Sequence, residues 1–142
     1  MPSTVQHIAT AARRLLDQDG ADAVTMRRVA GAVGITPMAI YRHYADRSAL
    51  LNALADAGFR ELATRLTRAR ASGSLEERLV RMAEIYLDHA LENPQLFALM
   101  FLERRAGARR FPRDFKKGHS PTANVLEQIV REGMERGDLR AD

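Results

Sequence analysis

TMRRVAGAVGITPMAIYRHY, residues 25–44, decides how the chain folds. Thr25 precedes an apolar-periodic run, and its hydroxyl suits an N-cap, accepting from an otherwise unpaired backbone N–H. Val24 before it and Val29 four residues into the helix form a hydrophobic staple that sets the entry angle. Met26, Val29, Ala30 and Val33 recur at helical spacing and make one buried face. Gly34 follows where a left-handed residue must end the helix. Thr36 caps a second helix that opens on Pro37, and Ile35 with Ile40 repeats the staple. The unit reads as helix, short turn, helix.

The second helix turns Ile40 and Tyr44 inward. Thr36, Pro37, Met38, Tyr41, Arg42 and His43 are therefore left facing away from the core. Tyr41 and His43 can donate to phosphate oxygens, and Arg42 can reach a phosphate or the O6/N7 edge of a guanine. Ala39 is small enough for close approach to a base. Asp46 caps a following long helix, and Arg47 at its start can meet a further phosphate. Binding of double-stranded DNA is the expected function. A plain helical hairpin with a solvated polar face does not account for caps, glycine turn and clustered donors together.

These residues resemble the tetracycline-repressor (TetR) family of bacterial transcription regulators. The likeness starts at Ile8–Gly20 (IATAARRLLDQDG) and continues through Val24-Thr25-Met26, Val29-Ala30, Val33-Gly34-Ile35 and Ile40-Tyr41-Arg42-His43-Tyr44, ending around Arg47–Leu51. The resemblance implies a three-helix DNA-binding head whose third helix enters the major groove, and a helical body that senses a ligand and dimerises. It places Thr25, Tyr41 and His43 on phosphates and Thr36, Pro37, Met38 and Arg42 nearest the bases. Arg27 and Arg47, as exposed cations of the same segment, are added to the expected DNA-binding set. The family usually has lysine where this chain has Arg47; either cation neutralises a phosphate, and arginine adds a planar fork.

Composition is compatible with this. Of 142 residues, 46% are hydrophobic, enough for a core, and the net charge is +4. The head is only mildly basic: Arg13, Arg14, Arg27, Arg28, Arg42 and Arg47 against Asp17, Asp19, Asp22 and Asp46. Affinity must then come from a few placed donors and from two copies of the head. The chain has no cysteine, which removes disulfides and thiolate metal sites and fits a cytoplasmic protein. No run approaches the roughly 20 apolar residues of a membrane span, so no membrane partner is expected.

The expected fold is all-α: a helix-turn-helix head over residues 1–46, and a helical effector-binding body over 47–142 that begins with a long helix. Helix 1 runs from a Ser3/Gln6 capping box to Gly20. The long helix runs from Asp46 to about Ala71, with Gly58 marking a kink or a close helix crossing. Ser74 and Glu77 open another helix that ends near Asn93, Pro94 starts the next, and Ser120-Pro121 opens the last, which stops before Gly137. Regulators of the resembled type continue for about two more long helices, which form the dimer interface. Judged against them this body is incomplete, and the apolar faces of Val125, Leu126, Ile129 and Val130 are under-covered.

Within the body, Met82, Tyr86, His89, Phe97, Met100 and Phe101 are the candidate contacts for an unknown small-molecule effector, although aromatic and methionine positions at helical spacing also build ordinary cores. The basic run from Arg104 to Lys117 reads as a solvated loop in preference to a second DNA contact. No catalytic, cofactor or metal site is expected. The four histidines are scattered, and His89 with Glu92, though spaced i, i+3, is set at a helix end. The expectation is thus a ligand-responsive repressor that binds a palindromic operator as a homodimer. The alternative is a truncated helical interaction module that no longer binds DNA specifically.

Overall fold

The serine and threonine caps, the prolines at first helical positions and the Gly20 and Gly34 stops read from the sequence are helix boundaries in the computed structural model, which describes residues 1–69, 72–110, 113–116 and 118–140. Helix α1, Thr4–Asp19, starts at the Ser3/Gln6 capping box and ends at Gly20, whose φ of 82° is open to glycine. A 3-10 turn, Ala21–Ala23, leads to α2, Met26–Val33, and α3 is Pro37–Ile40. The connecting helix α4, Arg47–Ala69, is capped by Asp46, whose Oδ1 accepts from the Ala49 N–H at 2.8 Å. Helix α5, Leu75–Glu92, begins with the reciprocal Ser74/Glu77 box, and α6 is Pro94–Phe101. A four-residue helix α7, Arg113–Lys116, falls in the segment read as a loop, and α8, Pro121–Glu135, closes the series. The described residues are all-helical or irregular, without strands. The expected end of α4 at Ala71 lies outside the described residues, as does Lys117 of the basic run.

The chain packs as two compact units that part inside α4, at Gly58. The first comprises Met1–Gly58 with Asn93–Ala108, the second Phe59–Glu92 with Arg109–Asp142. In the first unit, Ile8, Leu16, Val24, Val29, Ile40, Leu50, Leu96 and Leu99 are fully buried. Each such side chain contributes roughly 1.5–3 kcal/mol by leaving water. Helix α6 packs on α1 within this unit, and Gly58 lets its side chains come close to α4. A Cβ at Gly58 would lie 2.6 Å from Met100 Sδ and 3.1 Å from Leu96 Cδ2. Gly58 thus marks a close crossing. Polar ties reinforce the packing: Arg13 donates to Asn93 Oδ1 (2.8 Å), and Arg105 to the Leu99 carbonyl (2.9 Å) and Asn52 Oδ1 (2.5 Å).

The second unit is built on Leu62, Leu66, Met82, His89, Val125 and Ile129. An ion pair from Arg78 to Glu132, 2.6 Å, ties α5 to α8, and Arg78 itself is only 4% exposed. Arg109 lies over the Phe59 ring, 5.3 Å from its centroid, and donates to the His119 carbonyl. The expectation of an under-covered α8 holds for Leu126, which is exposed, while Val125 and Ile129 are buried and Val130 is half-buried. The larger exposed apolar face lies on α5, at Val80, Leu87 and Leu91.

Candidate nucleic-acid interface

The helix-turn-helix is positioned by its inward residues. Helix α2 packs against both α1 and α3; Met26, Val29 and Ala30 of α2 and Ile40 of α3 are buried, and Gly34 between them takes φ 79°, ψ 31°. Both N-caps are threonines used in the same way: Thr25 Oγ1 accepts from the Arg28 N–H and Thr36 Oγ1 from the Ala39 N–H, each at 3.2 Å. A hydroxyl has one donor and two acceptor sites. Capping uses an acceptor site, so each threonine keeps its O–H to donate outward.

Helix α3 is shorter than its sequence pattern implies. It ends at Ile40, and Tyr41–His43 continue as a tight turn in which the His43 N–H donates to the Ile40 carbonyl at 2.8 Å. Only a few residues separate Ile40 from the Asp46 cap, and i→i−3 closure lets the chain reverse within them. Tyr44 packs inward, half-buried, and loss of solvent raises the pKa of its phenol. Thr36, Pro37, Met38, Tyr41, Arg42 and His43 stand exposed on either side of half-buried Ala39 and buried Ile40, Met38 at 73% and Tyr41 at 49%. Arg27 is exposed on α2, and Arg28 beside it is paired to Asp19 at 2.9 Å.

Besides the two capping threonines, Arg47 of the expected set has internal partners. Its Nε donates to the Val24 carbonyl at 2.7 Å and its Nη2 to the Ala21 carbonyl at 2.6 Å. Sequence reasoning had no signal for this, because the partners lie 23 and 26 residues away. The basic run is also more engaged than a solvated loop would be. Arg105, Arg109 and Arg113 each hold a carbonyl or carboxylate, and Asp114 accepts from both the Arg113 guanidinium and the Arg110 N–H.

The six candidate effector contacts divide between the two units. Met82, Tyr86 and His89 belong to the second, with His89 fully buried, and Phe97, Met100 and Phe101 belong to the first. Two surface depressions, one beside α1 and α2 at His7, Arg14 and Ala32 and one along α8 at Glu127, Arg131 and Glu135, include none of the six. Glu92 is paired to Arg65 at 2.8 Å, away from any metal role with His89. Among the described residues no group of three His, Asp or Glu side chains could hold a metal ion, and no helix is long and apolar enough to cross a membrane.

Residues 8–54 match the family described as bacterial regulatory proteins, tetR family. Over 137 residues the chain is 30% identical to the nucleoid occlusion factor SlmA of Pasteurella multocida, an alignment covering 90% of this chain and 68% of that protein. The chain belongs to the TetR family. Among solved structures, a protein of unknown function from Rhodococcus sp. RHA1 superposes with a TM-score of 0.80 at 30% identity, over all of this chain and 73% of that one. The TetR family transcriptional regulator PfmR of Thermus thermophilus shares the fold, with a TM-score of 0.66 at 21% identity over 100% of this chain and 77% of its own. As a TetR-family member the chain is a DNA-binding transcriptional regulator and not an enzyme.

Proposed function

We propose that this TetR-family chain is a ligand-responsive repressor that binds a palindromic operator as a homodimer. The observation that carries the reading is the set of exposed residues Thr36, Pro37, Met38, Tyr41, Arg42 and His43, on a helix-turn-helix whose inward side chains are buried. On this reading residues 1–46 read DNA and residues 47–142 regulate. Thr25, Arg27, Tyr41 and His43 hold phosphates, while Thr36, Pro37, Met38 and Arg42 face the bases. Exposed Met38 offers an apolar contact to a thymine methyl, a feature the donors around it cannot read.

Two heads reading one site require a dimer, and the exposed apolar residues Val80, Leu87 and Leu91, spaced along one face of α5, favour self-association. Half-sites would lie about one helical turn apart, ~34–36 Å, or a multiple of it. The proposed effector contacts are Met82, Tyr86 and His89. A ligand can drive release only by binding one spacing of the heads more tightly than the other, with α4 carrying the change.

Selection of duplexes from a random pool, followed by fluorescence anisotropy at several salt concentrations, tests this. A two-fold symmetric site should be enriched, and log K should fall linearly with log salt. Inserting about five base pairs, half a turn of B-DNA, between the half-sites should abolish tight binding. Unselective binding by a monomer would refute the dimeric operator reading.

A further inference from the structure

Arg47 opens α4, and its guanidinium faces the chain and not only the solvent. The Nε and Nη2 donors take the carbonyls of Val24 and Ala21 at 2.7 and 2.6 Å. These carbonyls belong to the first residue of the 3-10 turn and to the residue that ends it just before Thr25, and the Ala21 oxygen also accepts from the Val24 N–H at 3.0 Å. A planar fork fixes the direction of two donors at once, which a single ammonium on a flexible stem cannot do. Two charge-assisted bonds therefore tie the first turn of α4 to the entry of α2, next to the Thr25 cap and Arg27. The Asp46 cap anchors the other side of the joint through the Ala49 N–H.

We infer that Arg47 is a positioning residue for DNA binding: it holds the N-terminal end of α2 in register with the Thr36–His43 surface and does not itself neutralise a phosphate. The inference rests on the DNA-facing role proposed for that end of α2. It also accounts for arginine at this site, since a phosphate would be served equally by lysine, whereas two separate carbonyls call for the fork.

The test uses the full chain, its Arg47→Lys and Arg47→Gln variants, and a duplex enriched from the random pool by the unaltered protein. Circular dichroism melts establish which variants fold; if Arg47→Gln does not, Arg47→Lys decides alone. The lysine variant keeps the charge and loses the fork, so it should bind about tenfold more weakly or worse, the scale of a lost charge-assisted hydrogen bond. The slope of log K against log salt should stay that of the unaltered chain in both variants. Because Arg47 acts through the α2 entry, Arg27→Ala should cost less affinity in the Arg47→Lys background than alone, a coupling that general destabilisation would not produce. A lysine variant that binds like the unaltered chain overturns the inference. So does a glutamine variant whose slope shrinks by about 0.9, the signature of one lost phosphate contact, and so do strictly additive effects of Arg27 and Arg47. An unaltered chain that enriches no duplex overturns the DNA-facing reading first and this inference with it.

Discussion

Tyr41 and Arg42 are neighbours in the turn after α3, both exposed, and they should fail differently when altered. Tyr41→Phe removes one hydroxyl donor and leaves the ring, so every duplex should lose affinity alike, by about 0.5–1.5 kcal/mol. Arg42→Ala should instead change base preference by ~1–3 kcal/mol at one position of the site. Anisotropy across a panel of single-base operator variants separates the two, and a flat loss for Arg42→Ala would mean that it meets only the backbone. Gly34 shows what a single residue costs through conformation alone. It sits at φ 79°, and a Cβ placed there meets nothing within 4 Å. Gly34→Ala should therefore lose about 1–2 kcal/mol of stability purely from the left-handed backbone. A denaturation midpoint equal to that of the unaltered chain would contradict this.

At the scale of elements, Gly58 is the converse case, because its backbone is helical and its cost is steric. Gly58→Ala gains up to about 1 kcal/mol of helix propensity, but a Cβ 2.6 Å from Met100 Sδ overpacks the α4–α6 crossing, at about 1–3 kcal/mol. The variant should melt at a lower temperature, and Gly58→Val lower still; a rise in both would show that the crossing has slack. Helix α7 carries the clearest pH dependence. The Arg113 guanidinium, and then the Arg110 N–H, hold the Asp114 carboxyl down to about 2, below its ordinary 3.8. A depressed carboxylate contributes stability that is whole above the unfolded-state value and is lost as pH falls through the folded one. Amide protection at Arg110 and over residues 113–116, taken relative to intrinsic exchange at each pH, should fall as pH drops from about 4 to about 2, with the carboxyl titrating near the lower value. A carboxyl carbon shift with an ordinary midpoint would dismiss the cap.

At the scale of the whole molecule, each unit is closed by polar ties between residues far apart in sequence. The Arg78–Glu132 pair spans 54 residues, and its two halves are unequally exposed, the arginine at 4% and the glutamate at 28%. Glu132→Gln leaves a buried guanidinium without its carboxylate and should cost about 3–5 kcal/mol. Arg78→Met removes the buried charge itself and leaves a glutamate that water can reach, so it should cost less. Equal losses in denaturant titrations would show that desolvation of Arg78 is not what decides the pair.

The boundary signals were legible because they are local. A threonine or serine cap, a proline at the first helical position and a left-handed glycine act over three or four residues, so the sequence alone determined the two capped helices at 25–44, the Ser3 and Ser74 boxes and the start of α8. Periodicity likewise marked Ile40 for the interior and left Met38 and Tyr41 outside. Where the cap signals ran out, so did the reading: α3 ends early, and α7 forms where basic residues and a lone Asp114 looked like a loop. Tertiary structure decided which distant groups meet. It drew α6 into the unit that holds the head, split the candidate effector residues between two units, and gave Arg47, Arg105 and Arg109 carbonyl partners of their own. A guanidinium in a sequence can satisfy a phosphate, a carboxylate or a carbonyl equally well, and only the folded backbone determines which acceptor comes within its reach.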